Sequence, residues 1–280
     1  MSGLNLTGRP QPGDYLLGRG KVMAAPILPD GTPGAFRHLG NSPNFAVNVT
    51  TENIEHQTSL QSVRVTDADC ILSLKAEVAF DLDELNFQNL ADFFLGDAVQ
   101  AGYVNPAIAG FAATAVTASA EQGRWYDILS PTGLKPKGFT SGTVTVVSDS
   151  GGAATALVEG TDYELDLVHG MIFLIAGGAA AVGLDITVAV AANVGAPANI
   201  NQVRALTQGV TAVAVRFHSL DGCDAGKQQE YKFHSVTLKP DGELPLIGDE
   251  FATISFSGVA AASLTAYPTS PYFTIEDAQA

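Results

Sequence analysis

The side chains able to do chemistry are few and scattered. Five histidines, His38, His56, His169, His218 and His234, and two cysteines, Cys70 and Cys223, are the imidazole and thiol groups of the chain. No two histidines stand at zinc-ligand spacing, and no Cys-x-x-Cys accompanies them. His218 and His234 fall on segments that read as neighbouring strands, where packing or solvent exposure is the ordinary fate of such a pair. Asp67-Ala68-Asp69 opens like a calcium loop. However, Ile71, Leu72 and Val78 stand where an oxygen ligand, the glycine and the closing glutamate belong. Gly18-Arg19-Gly20-Lys21 has no Ser or Thr after its lysine and no strand before it, so it is not a Walker loop. Ser150-Gly151-Gly152 is not part of a Gly-x-Ser-x-Gly nucleophile elbow. Asp81, Asp83 and Glu84 cluster, and helix capping accounts for them without acid–base work. The expectation is no metal, no cofactor and no enzymatic activity.

Composition narrows the classes further. Hydrophobic residues are 46% of the 280, enough for a substantial core. Charged residues are 15%, against about 25% in a typical soluble domain. A surface this poor in charge is expected to be covered by something, such as another copy of the chain. The net charge of −15, from 14 basic and 29 acidic residues, argues against the clustered Lys and Arg that a nucleic-acid surface needs. Two cysteines so far apart predict reduced, buried thiols rather than a disulfide framework. Met1–Leu6 lacks the basic-then-apolar layout of a signal peptide. No stretch reaches the ~20 apolar residues of a membrane helix; Asp185 interrupts Ala176–Val190, which comes closest. A soluble chain is expected.

The elements that would carry any function are mostly strands. Residues 1–40 predict an extended arm with one short strand, Gly20–Pro26. Asn44–Glu55 alternates apolar and polar, and its phase breaks near Thr51, which predicts a bulge or twist. Cys70–Phe80 alternates as well: Cys70, Leu72, Leu74, Ala76, Val78 and Phe80 on one face, Ile71, Ser73, Lys75, Glu77 and Ala79 on the other. One buried and one wet face is the pattern this requires. Glu52–Asp69 is too polar for a core and reads as a long loop. Asp81–Leu95 predicts the one convincing helix, with Asp81 as cap, Glu84 three residues on and Gly96 at the C-terminal end. Leu82, Leu85, Leu90, Phe93 and Phe94 form its apolar stripe. The predicted core is Val47, Val49, Leu72, Leu74, Val78, Leu85, Leu90, Phe93 and Phe94, with the helix covering the hairpin.

Further on, short strands are predicted at Thr143–Ser148, Thr155–Val158, Tyr163–Val168, Met171–Ile175 and Asp185–Ala189, separated by Gly-rich turns. They suggest a small β-subdomain between residues 110 and 197. Val210–His218, Gln229–Leu238 and Glu250–Gly258 predict three more strands, with Pro240-Asp241-Gly242 as a turn. Ala266–Ala280 reads as a second arm. The expected organisation is 1–109 and 198–280 as halves of one domain, with 110–197 inserted or remodelled. The fold class is mainly β: a rolled sandwich or barrel with one α-helix on the sheet, plus the small inserted subdomain.

Three stretches together resemble the major tail tube proteins of long-tailed bacteriophages. The first is Leu17-Gly18-Arg19-Gly20-Lys21-Val22, then Asp30-Gly31-Thr32 and Leu39-Gly40-Asn41. The second is Ile54-Glu55-His56-Gln57-Thr58-Ser59, followed by Cys70–Phe80 and Leu90-Ala91-Asp92-Phe93-Phe94-Leu95-Gly96. The third is Val236-Thr237-Leu238-Lys239-Pro240-Asp241-Gly242-Glu243-Leu244, then Ile247-Gly248-Asp249-Glu250. With Glu159-Gly160-Thr161-Asp162-Tyr163 and the Gly170 turn, the likeness touches most of the chain.

The resemblance implies a virion protein, made in the host cytoplasm, that forms hexameric rings with a continuous β-barrel lumen. Rings would stack into a tail tube, with a tape-measure protein, a tail terminator and baseplate or tail-tip proteins as partners. DNA would pass through only in transit, and nothing would insert in a membrane. Asn44, Asn48, Thr50, Ser73, Lys75 and Glu77 would face the lumen. The loop residues His56, Gln57, Thr58, Ser59, Leu60, Gln61, Ser62 and Arg64 would reach the adjacent ring. A surface-displayed β-sandwich binding or adhesin module, an enzyme on a jelly-roll scaffold, and a tube protein of a type VI secretion-like apparatus are the alternatives.

Overall fold

The computed structural model describes residues 18–59, 63–117, 119–140, 142–149, 154–180, 185–220 and 228–277. The chain divides into two compact units, Met1–Ala98 with Arg204–Ala280, and Val99–Val203. The first opens with β1 (Gly20–Pro26), β2 (Arg37–His38), β3 (Asn44–Thr58), β4 (Val65–Leu82) and a helix, α1 (Phe87–Phe93). β5 (Asp97–Val104) leads into the second unit. There follow α2 (Pro106–Ala109), β6 (Phe111–Thr117), β7 (Trp125–Asp127), β8 (Val144–Asp149), β9 (Ala154–Ala156), β10 (Tyr163–Asp166), β11 (Met171–Leu174) and β12 (Asp185–Val190). β13 (Asn199–Arg204) pairs with β5 on the way back. β14 (Ala212–Ser219), β15 (Gln229–Asp241), β16 (Ile254–Ala260) and β17 (Phe273–Asp277) complete the first unit. No described helix is long and apolar enough to cross a membrane.

The first unit is a single antiparallel sheet in the order β2-β1-β14-β15-β16-β4-β3, with β17 also paired to β15. The sheet rolls on itself. β3 and β14 stand four strand spacings apart in the order, about 19 Å if flat, yet the rings of Phe45 and Phe217 stack at 4.9 Å. Twist of this kind is what strand sterics favour. Alternate residues fill the inside: Ile254, Phe256, Gly258 and Ala260 of β16 are buried, and the residues between them are half-buried. Phe80, Val78 and Leu82 of β4 meet them there, with Val22, Val215 and Phe233. Gly258 has no room for a side chain, because a Cβ would fall 2.6 Å from Val236 and 2.9 Å from Leu238.

The helix is shorter than its apolar stripe predicts. Asp81 does not cap it. β4 continues through Leu82, because Asp81 and Leu82 pair with Ser255 and Ile254 of β16. The cap is Asn86, whose side chain accepts from the Asn89 N–H at 2.8 Å. Phe93 enters the core and meets Phe256 edge-on. Leu85 and Leu90 are half-buried, and Phe94 is exposed. Arg37 holds α1 to the sheet edge, donating to Asn89 and Asp92 at 2.6 Å each. Burial pushes the Asp92 carboxyl above its ordinary value, and the Arg37 charge opposes that shift. After the helix, Leu95 takes a positive φ of 48°. Gly96 is needed for a different reason from the one its place suggests: a side chain there would strike the Arg204 carbonyl.

Two expected arms are partly sheet. Residues 18–40 carry β1 and β2, and β17 lies inside Ala266–Ala280, paired with Gln229–Phe233 of β15. Likewise Pro240 and Asp241 continue β15 against Phe256 and Ser255, and Gly242, at φ 85°, ends it.

The second unit packs two sheets, β6-β12-β8-β9 and β10-β11-β7, around one core. Val146, Ile186 and Val188 come from the first, Tyr163, Ile172 and Leu174 from the second. Buried Asn105 caps α2 and donates to the Lys137 and Pro197 carbonyls at 2.7 and 2.9 Å. Asp162 ties the turn before β10, accepting from the Val158 and Ala179 N–H groups at 2.8 and 2.7 Å. Gly170, at φ 69°, closes the turn into β11.

Candidate functional site

The feature that the fold presents outward is the β3–β4 hairpin. β3 pairs with β4 from Asn44↔Asp81 out to Thr58↔Val65. The polar stretch Glu52–Asp69 is therefore mostly a paired ribbon, not a loop. Its polarity is met by cross-strand bonds: Asn53 to Asp69 at 3.1 Å, Ser73 to Glu52 at 3.1 Å, and His56 against Asp67. Asp67 and Asp69, which open like a calcium loop in the sequence, serve the ribbon instead. His56, Gln57 and Thr58 end β3, and Ser59 and Arg64 flank the tip. Leu60, Gln61 and Ser62 lie outside the described residues.

The register break predicted near Thr51 is present. Glu52 pairs with Ser73 and Asn53 with Ile71, so β4 carries an extra residue, Leu72. Cross-strand partners share a face. Cys70, paired with Ile54, therefore joins the face of Thr50 and Glu52 rather than that of Leu74. Cys70 is exposed, not buried, and Cys223 lies outside the described residues.

Body and arm part company along β4. Val78 and Ala76 are buried, but every residue from Val65 to Lys75 is exposed. Val47, Val49, Leu72 and Leu74 are thus not core: they are 36, 57, 61 and 56% exposed. The helix expected to cover them packs further along, opposite Phe256. β16 stops pairing with β4 at Glu77, and β3 is the last strand of the sheet. Beyond Glu77, among the described residues, both edges of the ribbon are unpaired, and its faces are largely uncovered apart from Tyr272 and Phe273 beside Val49 and Leu74. An isolated two-stranded hairpin is marginal in water, and an uncovered apolar strand edge is a pairing template.

The other face of the ribbon continues across four strands. The registers align Asn44–Asp81–Ser255–Asp241, Ala46–Ala79–Ser257–Lys239 and Asn48–Glu77–Val259–Thr237 in rows. Thr50, Lys75 and Ser73 extend this face outward. It is polar or small-chained except for Val259 and, further out, Ile54. The hydrogen bond and charge of Lys75 hold Glu77 below the usual carboxylate range. His218 sits elsewhere, bonded to Glu230 at 2.9 Å and not to His234. Among the described residues no three His, Cys, Asp or Glu side chains gather as a metal site would require. The unsupported hairpin was legible as two strands but not as an arm, because periodicity reports which faces differ and not what covers them.

No curated protein matches the chain. A family model does, over residues 15–276, and the chain belongs to that family, the proteins of unknown function UCP028589.

Proposed function

We propose that the chain is a structural subunit of a virion tail tube, six copies closing a ring and rings stacking into the conduit for DNA ejection. The observation that carries this reading is the β3–β4 arm, whose Val49, Leu72 and Leu74 are more than half exposed; among the described residues only Tyr272 and Phe273 approach the base of that stripe. In a ring the arm would lie against a neighbouring copy, which closes the open edge of β3 and buries the apolar stripe. The polar face of β3, β4, β16 and β15 would turn inward, strand beside strand, toward a water-filled channel. Asp81, Asp241 and Glu77 on that face would repel phosphate and keep DNA moving. A tape-measure protein, a tail terminator and baseplate or tail-tip proteins would be the other partners, and DNA would be present only in transit.

Negative-stain microscopy of the purified full chain tests the proposal. Sixfold rings or tubes are expected. Monodisperse monomers that bind a surface ligand would overturn it in favour of a displayed β-sandwich.

A further inference from the structure

β15 is irregular at His234 and Ser235. On one side Val213 pairs with Val236 but Val215 with Phe233, so β15 holds an extra residue there. On the other side β15 changes partner, from β17 along Gln229–Phe233 to β16 along Val236–Asp241. The segment Ala261–Tyr272 joins those two partners and folds back over the bulge. The His234 N–H donates to the Tyr272 carbonyl at 3.2 Å, and the Ala261 N–H to that of Ser235 at 2.8 Å. The His234 ring lies flat on Tyr267, centroids 3.6 Å apart and planes 10° apart, and bonds the Ser270 backbone. The residue is 7% exposed, and Nε2 is shielded from solvent with no partner among the described residues.

A cavity of about 270 Å³ flanks the ring, lined by Arg216 of β14, Lys232 of β15 and Glu276 of β17. Residues 33–36 add only Pro33 and Phe36 to it. Glu276 is engaged by Lys232 at 2.7 Å, and Glu230 by Lys232 at 3.3 Å and Arg216 at 3.5 Å. Both carboxylates are already engaged by cations, and the Thr274 hydroxyl is the other polar side chain lining the cavity, so a proton on Nε2 would meet two positive charges.

We propose that His234 is a proton-sensitive latch: protonating its ring releases Ala261–Tyr272 and β17 from β15. Burial already holds the ring below the ordinary histidine value of 6.5, against the opposing Ser270 bond, with Arg216 and Lys232 adding to the effect. A histidine kept neutral by the fold contributes full stability above 6.5 and loses it progressively as pH falls toward the folded value. The latch abuts the arm. Tyr272 and Phe273 share an apolar hollow with Val49, Leu74 and Ala76, so release would uncover the base of the hairpin. The inference stands whether or not the chain forms tubes.

Hydrogen–deuterium exchange of the full chain, corrected for intrinsic rates, tests it near pH 8 and near pH 5, the range in which histidine titrates. Exchange across 261–277 should rise severalfold in acid, while Gly20–Pro26 stays protected. His234→Gln and His234→Phe should abolish the difference. An equal acid response in those variants, or none in the unaltered chain, overturns the latch. Should both variants misfold, the ring resonances of His234 in the unaltered chain decide. Opening that follows their titration supports the latch; opening only in the carboxylate range refutes it.

Discussion

Val49 lies directly across from Ala76 in the β3–β4 ladder, yet Ala76 is 5% exposed and Val49 57%. The pair marks where the core of one chain ends. Inward of it, β4 is flanked by β16 and the roll closes over Val78 and Phe80; outward, the same apolar face continues, more than half exposed at Leu72 and Leu74, with only Tyr272 and Phe273 beside its base among the described residues.

Substitutions on either side of that boundary should therefore separate stability from assembly. Leu74→Glu is expected to shift the unfolding free energy by less than about 0.5 kcal/mol, as exposed positions do, and to abolish rings or tubes. Phe80→Ala, inside the boundary, is expected to cost about 3–5 kcal/mol. Chemical denaturation and microscopy of each variant read the two effects independently.

Deleting Gln57–Val65 removes the end of the arm, and none of the described residues it takes away is buried. We expect a folded subunit, with an unaltered thermal transition, that does not polymerise. Tubes of normal length from this variant would refute the role given to the arm.

Thiol labelling can assign the two faces, in a background lacking Cys70 and Cys223. Asn48→Cys and Leu72→Cys should both react in the free subunit. After assembly Asn48→Cys should remain reactive from an open channel, and Leu72→Cys should become protected. The reverse pattern would mean that the apolar face turns inward.

Acid should weaken the second unit through Asp162. The N–H bonds from Ala179 and then Val158 hold its carboxyl below the ordinary 3.8. A depressed carboxylate contributes stability above 3.8 that is lost as pH falls through the folded value. Melting curves of Asp162→Ala should start lower than those of the unaltered chain at neutral pH, and the gap should close in acid. A constant gap would show that Asp162 acts by shape alone.

The sequence by itself determined the strands that alternate. Gly20–Pro26 stands as read, the hairpin strands are where their two-residue period puts them, and the phase break at Thr51 marks a real bulge, because side-chain alternation is a local property of strand geometry. Tertiary structure decided how far each element runs and what covers it. The polar Glu52–Asp69 became ribbon because its side chains satisfy one another across the ladder. β4 ran on to Leu82, displacing the helix start from Asp81 to Asn86, because β16 was there to pair with it. The tail gained β17 because β15 changes partner at His234. Val49 and Leu74 have the sequence pattern of core residues and lie outside the core, since an apolar stripe states a need for burial and only the arrangement of the other strands decides whether one chain can meet it.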